Sequence, residues 1–137
     1  MMVSQREEQL RKTMPLTWPG SLPEFLVYQA LIKAGLVHGV DFMYQQAEMG
    51  GAMTAGGAVV DFVLRNPPDL AISVAGVYYH YERGAGIRAR DAITRALLES
   101  RGLRVVTIDE DDALKDADFY VREALQYRDH SRAVRGL

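Results

Sequence analysis

The chain has 137 residues, of which 48% are hydrophobic and 25% charged, and this fits one globular domain around one core. Its formal net charge is −2, so binding to nucleic acid would have to come from local basic clusters. The chain has no cysteine, which excludes disulfides and thiolate metal ligands. No apolar run approaches a membrane span, and the first residues lack the apolar core of a secretory signal, so we expect a cytoplasmic protein.

The amino-terminal part of the sequence predicts an arm, a helix and a strand. Residues 1–20 are mostly polar and end in a proline-glycine pair, so we expect an arm that is either helical or frayed. Ser21 is followed three residues later by Glu24, the spacing of a capping box, which predicts a helix that ends at Gly35. Residues 40–48 then have the composition of a strand.

Two further strands are predicted in the middle of the chain. A glycine-rich hairpin loop over residues 49–57 precedes the first of them, at residues 58–65. The second, at residues 70–79, is apolar on both faces, which favours a central place in the sheet. We therefore expect the segments that contain Val60 and Val74 to be neighbours in one mixed sheet.

The carboxyl-terminal part predicts two helices around one more strand. After a flexible break at the glycines of residues 84–86, a helix is expected over residues 91–101, with Ile93 facing the core. A buried strand at residues 103–108 and a helix at residues 118–127 follow. The order α-β-β-β-α-β-α indicates an α/β domain with a mixed sheet between helices. The chain is thereby divided into an arm, a domain and a basic tail, at residues 1–20, 21–127 and 128–137.

Three side chains are candidates for chemistry. Asp61 is the one acid in an apolar strand segment, which is costly unless the carboxylate binds a cation such as Mg²⁺ or pairs with a nearby arginine. Glu24 is either a second ligand or only a member of the capping box. His80 follows a buried strand, where an imidazole either transfers a proton, since its reference pKa is about 6.5, or is bonded to the backbone.

Basic and aromatic side chains near these candidates suit a nucleic acid. Four arginines lie around the glycine break and on the following helix, where guanidinium groups would hold phosphates or else form a solvated helix face. One of the tyrosines beside His80 could stack on a base, while the others face the core. The residues concerned are Arg83, Arg88, Arg90, Arg95 and Tyr79.

This order of elements, with these residues on it, resembles the PD-(D/E)XK nuclease superfamily, which has the restriction-endonuclease-like fold. Within that superfamily it is most similar to the small very-short-patch-repair-like nucleases of bacteria and phages. The resemblance covers about residues 21–112. It rests on Glu24, Asp61-Phe62, Gly76-Val77-Tyr78-Tyr79-His80, Arg90-Asp91 with Arg95, and Gly102-Leu103-Arg104-Val105-Val106.

The active-site motif departs from the superfamily pattern. The strand after Asp61 would normally carry an acid and then a lysine or a second acid, and those positions hold Ser73 and Ala75 here. In the very-short-patch branch a histidine near the end of that strand takes over the chemistry, and His80 matches it. A second histidine of that branch would fall at Ala75, so the match is incomplete.

The resemblance implies a Mg²⁺- or Mn²⁺-dependent endonuclease that hydrolyses phosphodiester bonds of DNA. Asp61 with Glu24 would hold the metal, His80 would handle a proton, and the arginines would hold the DNA backbone. The alternative is a catalytically inactive nuclease-like domain that binds DNA or a protein partner. Whether the chain acts alone or as a homodimer is left open by the sequence.

Overall fold

The computed structural model describes residues 5–44, 60–76 and 85–135, with the backbone alone at residues 85–91, 94 and 135. The predicted hairpin loop at residues 49–57 lies outside the described residues. Three of the candidate residues, Tyr79, His80 and Arg83, lie outside them as well. No helix in the described part of the chain is both long enough and apolar enough to cross a membrane.

The described residues form a mixed four-stranded sheet flanked by helices, which confirms the predicted fold class. In chain order the elements are α1 (Gln5–Thr13), α2 (Leu22–Lys33), β1 (Phe42–Tyr44), β2 (Phe62–Leu64), β3 (Leu70–Ala75), α3 (Ala85–Ser100), β4 (Arg104–Asp109), α4 (Glu110–Leu125) and α5 (Arg132–Arg135).

The strands are arranged in the order β1-β2-β3-β4. β1 pairs with β2 and β2 with β3 in antiparallel fashion, whereas β4 runs parallel to β3 and is reached through α3. In the β2–β3 pair, Phe62 lies opposite Ile72. The expectation that the segments around Val60 and Val74 are neighbours in one mixed sheet is therefore confirmed. Asp61, just before β2, lies beside the carboxyl-terminal half of β3 because these two strands are antiparallel.

One face of the sheet is covered by α2 and α4. The shared core includes Val27 and Leu31 from α2, Phe62 and Ile72 from the sheet, and Val121 from α4. All five side chains are buried, so burial of apolar surface holds the two helices to this face. Residues placed at the amino-terminal end of α2 are therefore fixed above the sheet.

The other face of the sheet is covered by α3. Leu98 is buried there with Val60 and Ala71, in a smaller cluster separate from the main core. The prediction that Ile93 faces the core is therefore wrong, because Ile93 is 70% exposed whereas Leu98 is only 1% exposed. The helix turns toward the sheet the side that carries Leu98, and Ile93 is left on the solvent side.

Two helix boundaries differ from those predicted. α3 begins at Ala85, so the glycines that were expected to form a flexible break include one helical residue, Gly86. α4 begins at Glu110, eight residues before the predicted start, and contains Asp116 with φ −161° and ψ 75°. This non-helical residue divides α4 into two helical segments, and the sequence pattern indicated only the second of them.

Candidate functional site

Two of the predicted site residues, Glu24 and Asp61, are brought together above the carboxyl-terminal end of β3. Their carboxyl groups are in hydrogen-bonding contact with each other. The backbone N–H of Val74 also donates to Asp61 Oδ2 over 2.6 Å, which ties this carboxyl to β3. Among the described residues, the partners of Asp61 are thus a backbone amide and a second carboxyl group.

Glu24 is held from two sides. Its Oε1 accepts from the backbone N–H of Ser21 over 3.0 Å and from the Ser21 hydroxyl over 2.9 Å, and Ser21 Oγ accepts in turn from the Glu24 N–H, which completes the capping box. Its Oε2 accepts from the Tyr44 hydroxyl over 2.8 Å. The capping role and the place beside Asp61 are therefore compatible, since the same carboxylate serves both.

Burial and the neighbouring charge of Glu24 raise the pKa of the Asp61 carboxyl to about 8, and the hydrogen bond from the Val74 amide only partly opposes this shift. Two carboxylates at one partly buried place cannot both be charged without cost, so in the absence of a cation the pair holds a proton near neutral pH. Hard divalent cations take carboxylate oxygens as ligands, so this pair has the chemistry of a cation site.

Tyr44 is a site residue that the sequence did not identify. The pKa of its hydroxyl is raised by burial, by the hydrogen bond to Glu24 and by the nearby carboxylates, so the hydroxyl stays protonated and remains a donor. The side chain is fully buried. Its only signal in the sequence is a place in a predicted strand, because its partner Glu24 is 20 residues away along the chain.

A second group of acidic side chains follows β4. One carboxylate oxygen each of Asp109, Asp111 and Asp112 lies within 4.8 Å of the others, an arrangement of acids that could hold a divalent metal. Arg132 already binds this group, donating from Nη1 to Asp109 over 3.2 Å and from Nη2 to Asp111 over 2.6 Å. The signal for this group in the sequence is the run of four acids that begins at Asp109.

β3, the strand on which the sequence resemblance would place further acids, supplies no carboxylate to the pair. Ala75 is buried, with 1% of its surface exposed, and Ser73 is half-buried. What β3 supplies is the backbone N–H of Val74, which binds Asp61. In the described part of the chain, the second carboxyl group beside Asp61 comes from α2.

The structure does not bring Arg95 to the carboxyl pair. Its Nη2 donates to the Thr107 hydroxyl over 2.6 Å and its Nη1 lies 3.5 Å from Asp129, on the face of the sheet that α3 covers. Arg88 and Arg90 belong to α3, but the structure describes only their backbone atoms. Phosphate binding by these arginines, and base stacking by Tyr79, stay predictions.

The mixed sheet with helices on both faces is a nuclease-like fold. The chain is similar in structure to the homing endonuclease I-Bth0305I catalytic domain, with a TM-score of 0.56 and 26% sequence identity. The similarity covers 79% of this chain and 94% of that domain. No protein-family model matches the sequence, and no curated protein matches it.

Proposed function

We propose that this protein is a metal-dependent endonuclease that hydrolyses phosphodiester bonds of DNA, and that it belongs to the very-short-patch-repair-like branch of the PD-(D/E)XK superfamily. One observation carries the proposal. A pair of carboxyl groups, the half-buried Asp61 and the buried Glu24, lies above the sheet of a fold that matches nearly all of a homing endonuclease catalytic domain. The finer assignment within the superfamily rests on the sequence motifs.

In the proposed site, Asp61 and Glu24 hold Mg²⁺ or Mn²⁺. The pair fits such an ion because a divalent charge removes the repulsion that otherwise retains a proton on the pair. A bound ion would supply Lewis acidity toward the phosphate and lower the pKa of a bound water. The Val74 amide orients Asp61, and the capping box orients Glu24.

The remaining roles are proposed from the sequence. His80 would accept or donate a proton at the reacting oxygen, as an imidazole can near neutral pH. Arg83, Arg88 and Arg90 would hold DNA phosphates, and Tyr79 would stack on a base. Arg95 would contribute to phosphate binding only indirectly, because its guanidinium is already hydrogen-bonded to Thr107 and paired with Asp129.

A second function is favoured by one observation. Ala75 is buried and apolar at a position where the superfamily pattern would place a polar ligand or base. In this second proposal the domain has lost catalysis and binds DNA or a protein partner. The two proposals differ in what the carboxyl pair does, because only an endonuclease needs it to hold a metal.

The test is cleavage of supercoiled, linear, branched and single-stranded DNA with Mg²⁺, with Mn²⁺ and with a chelator. We expect metal-dependent cleavage by the parent protein. We expect Asp61→Asn to lower the cleavage rate by more than about 100-fold, since even partners outside the ligand shell typically change activity by about 10- to 100-fold. Asp69→Asn is the matched control, because Asp69 is exposed at the opposite end of β3 and its positive φ of 61° suits asparagine.

Two results would contradict the endonuclease. The first is the absence of cleavage of every DNA form with both metals, and the second is equal cleavage by the parent and Asp61→Asn. DNA binding that persists without cleavage, and without any response to metal, would support the inactive domain instead.

A further inference from the structure

The segment just before α2 packs directly against the Glu24 carboxylate. Trp18 stacks on the Tyr44 ring with 4.6 Å between ring centroids and 16° between planes. The Trp18 indole N–H donates to the backbone oxygen of Ser21 over 3.0 Å. The four residues Trp18, Gly20, Ser21 and Tyr44 thus surround Glu24, and we call them the Glu24 clamp.

Gly20 leaves the space that the Tyr44 hydroxyl occupies. A Cβ atom built on Gly20 would overlap that hydroxyl oxygen, and it would lie 3.2 Å from Glu24 Oε1 and 3.2 Å from the Trp18 indole nitrogen. A side chain at this position would therefore have to displace the hydroxyl from Glu24. Glycine is required here because the backbone passes so close to the hydrogen bond between Tyr44 and Glu24.

The Tyr44 hydroxyl has little purpose in the core other than to bind Glu24. Tyr44 is fully buried, and its ring packs on Trp18 and Phe62 as a phenylalanine ring could. A buried hydroxyl costs free energy unless it is hydrogen-bonded, and its acceptor here is Glu24 Oε2. The polar atom therefore fixes the carboxylate, while the ring fills the core.

The Glu24 clamp leaves the Glu24 carboxylate with little remaining capacity to accept hydrogen bonds. A carboxylate has about four lone-pair sites. The Ser21 N–H and hydroxyl take two on Oε1, and Tyr44 takes one on Oε2. About one site is left to share with Asp61, so the direction in which Glu24 can offer an oxygen is set by its three donors.

We propose that Tyr44 is a positioning residue for Glu24, and that Gly20 is glycine so that the Tyr44 hydroxyl can reach that carboxylate. The inference rests on the proposed function, since it concerns how Glu24 is presented to a divalent cation. Tyr44 itself touches neither the metal nor the DNA. Its effect on metal binding passes through the orientation of Glu24.

The first test is metal dependence. Tyr44→Phe removes the hydroxyl and keeps the ring, and we expect the Mn²⁺ concentration for half-maximal cleavage to rise about 10- to 100-fold, as for other partners of metal ligands. The maximal rate at saturating Mn²⁺ should fall much less. Tyr28→Phe is the matched control, because Tyr28 also contacts the Trp18 ring but its hydroxyl pairs with His38. It should leave the Mn²⁺ dependence unchanged.

The second test needs neither metal nor DNA. We expect Gly20→Ala to lower the melting temperature of the parent protein and to lower it less in the Tyr44→Phe background, because the atom that the new methyl group overlaps is then missing. If Gly20→Ala lowered the melting temperature equally in the two backgrounds, the inference that Gly20 makes room for the Tyr44 hydroxyl would be wrong.

The outcomes separate the inference from the proposed function. If the parent responds to Mn²⁺ and folded Tyr44→Phe has the same Mn²⁺ dependence, Tyr44 only packs, and the inference is overturned while the metal site stands. If the parent neither binds Mn²⁺ nor cleaves DNA, the proposed function fails and the role of Tyr44 toward a metal fails with it.

Discussion

The proton held by the carboxyl pair couples the stability of the protein to pH. The pKa of Asp61 is about 8 in the folded protein, whereas an unperturbed aspartate has a pKa of about 3.9. Between these values the folded state binds a proton that the unfolded state has released. Stability therefore decreases as pH rises from about 4 to about 8, by at most about 1.4 kcal/mol per pH unit for one proton.

Asp61→Asn should remove this dependence, because the amide resembles the protonated carboxyl and keeps an oxygen for the Val74 N–H. Relative to the parent, the variant should gain stability as pH rises, most of all at pH 8 without metal. Urea unfolding at a series of pH values measures the difference, with Asp69→Asn as the control. Parallel stability curves for the parent and Asp61→Asn would show that Asp61 does not hold the proton.

Among the elements, α3 offers a direct test of which helix face packs on the sheet. Leu98 is buried with Val60 and Ala71, whereas Ile93 on the same helix is largely exposed. Leu98→Ala should lower the free energy of unfolding by about 2–5 kcal/mol, since it leaves a cavity in a packed cluster. Ile93→Ala should change it by about 0.5 kcal/mol or less.

Chemical denaturation of the two variants distinguishes the faces. The outcome that contradicts the observed packing is a larger loss for Ile93→Ala than for Leu98→Ala, which is the result that the sequence analysis alone would have predicted.

Features carried by short sequence patterns were predictable, and those that depend on distant partners were not. The capping box at Ser21 and Glu24 needs only four consecutive residues, and the structure confirms it. The isolated acid of an apolar segment identified Asp61. Which face of α3 is buried depends instead on the sheet that the helix packs against. The break in α4 at Asp116 has no glycine or proline to signal it.

The candidate site shows the same division. Asp61 and Glu24 were identified singly, and the structure adds their contact across 37 positions of the sequence. Tyr44 and Gly20 could not be identified, because a tyrosine in a strand and a glycine before a helix are ordinary in sequence. Only the folded chain brings that hydroxyl and that backbone to the same carboxylate.

At the scale of the whole molecule, the carboxyl-terminal segment is tied to the acidic end of β4. Arg132 donates from its backbone N–H and its guanidinium to the fully buried Asp109, and it also binds Asp111, whose pKa it holds below the usual range. Arg132→Ala removes the side-chain donors of a buried carboxylate. We expect a loss of about 1–3 kcal/mol in the free energy of unfolding.

Thermal and urea unfolding measure this loss, and Arg122→Ala is the control because Arg122 is exposed on α4. If both arginine variants had the stability of the parent, the basic segment at residues 128–137 would not be held to the end of β4 through Arg132.

DNA binding, under the proposed function, should be sensitive to salt and largely independent of sequence. In a protein with net charge −2, phosphates are held only where arginines cluster. Each phosphate contact releases a counterion, so replacing Arg88 and Arg90 with alanine should reduce the slope of log affinity against log salt by about one to two units. Fluorescence anisotropy of labelled duplex across salt concentrations measures the slope. An unchanged slope would mean that these arginines do not contact the backbone.

The stacking of Trp18 on Tyr44 gives the protein a built-in optical probe. The chain has one tryptophan, and its ring lies against the side chain that holds Glu24. Intrinsic emission excited selectively at the indole therefore comes from a single position beside the carboxyl pair. A titration with a paramagnetic ion such as Mn²⁺ could be followed through quenching of this emission, with no dye attached and no substrate present.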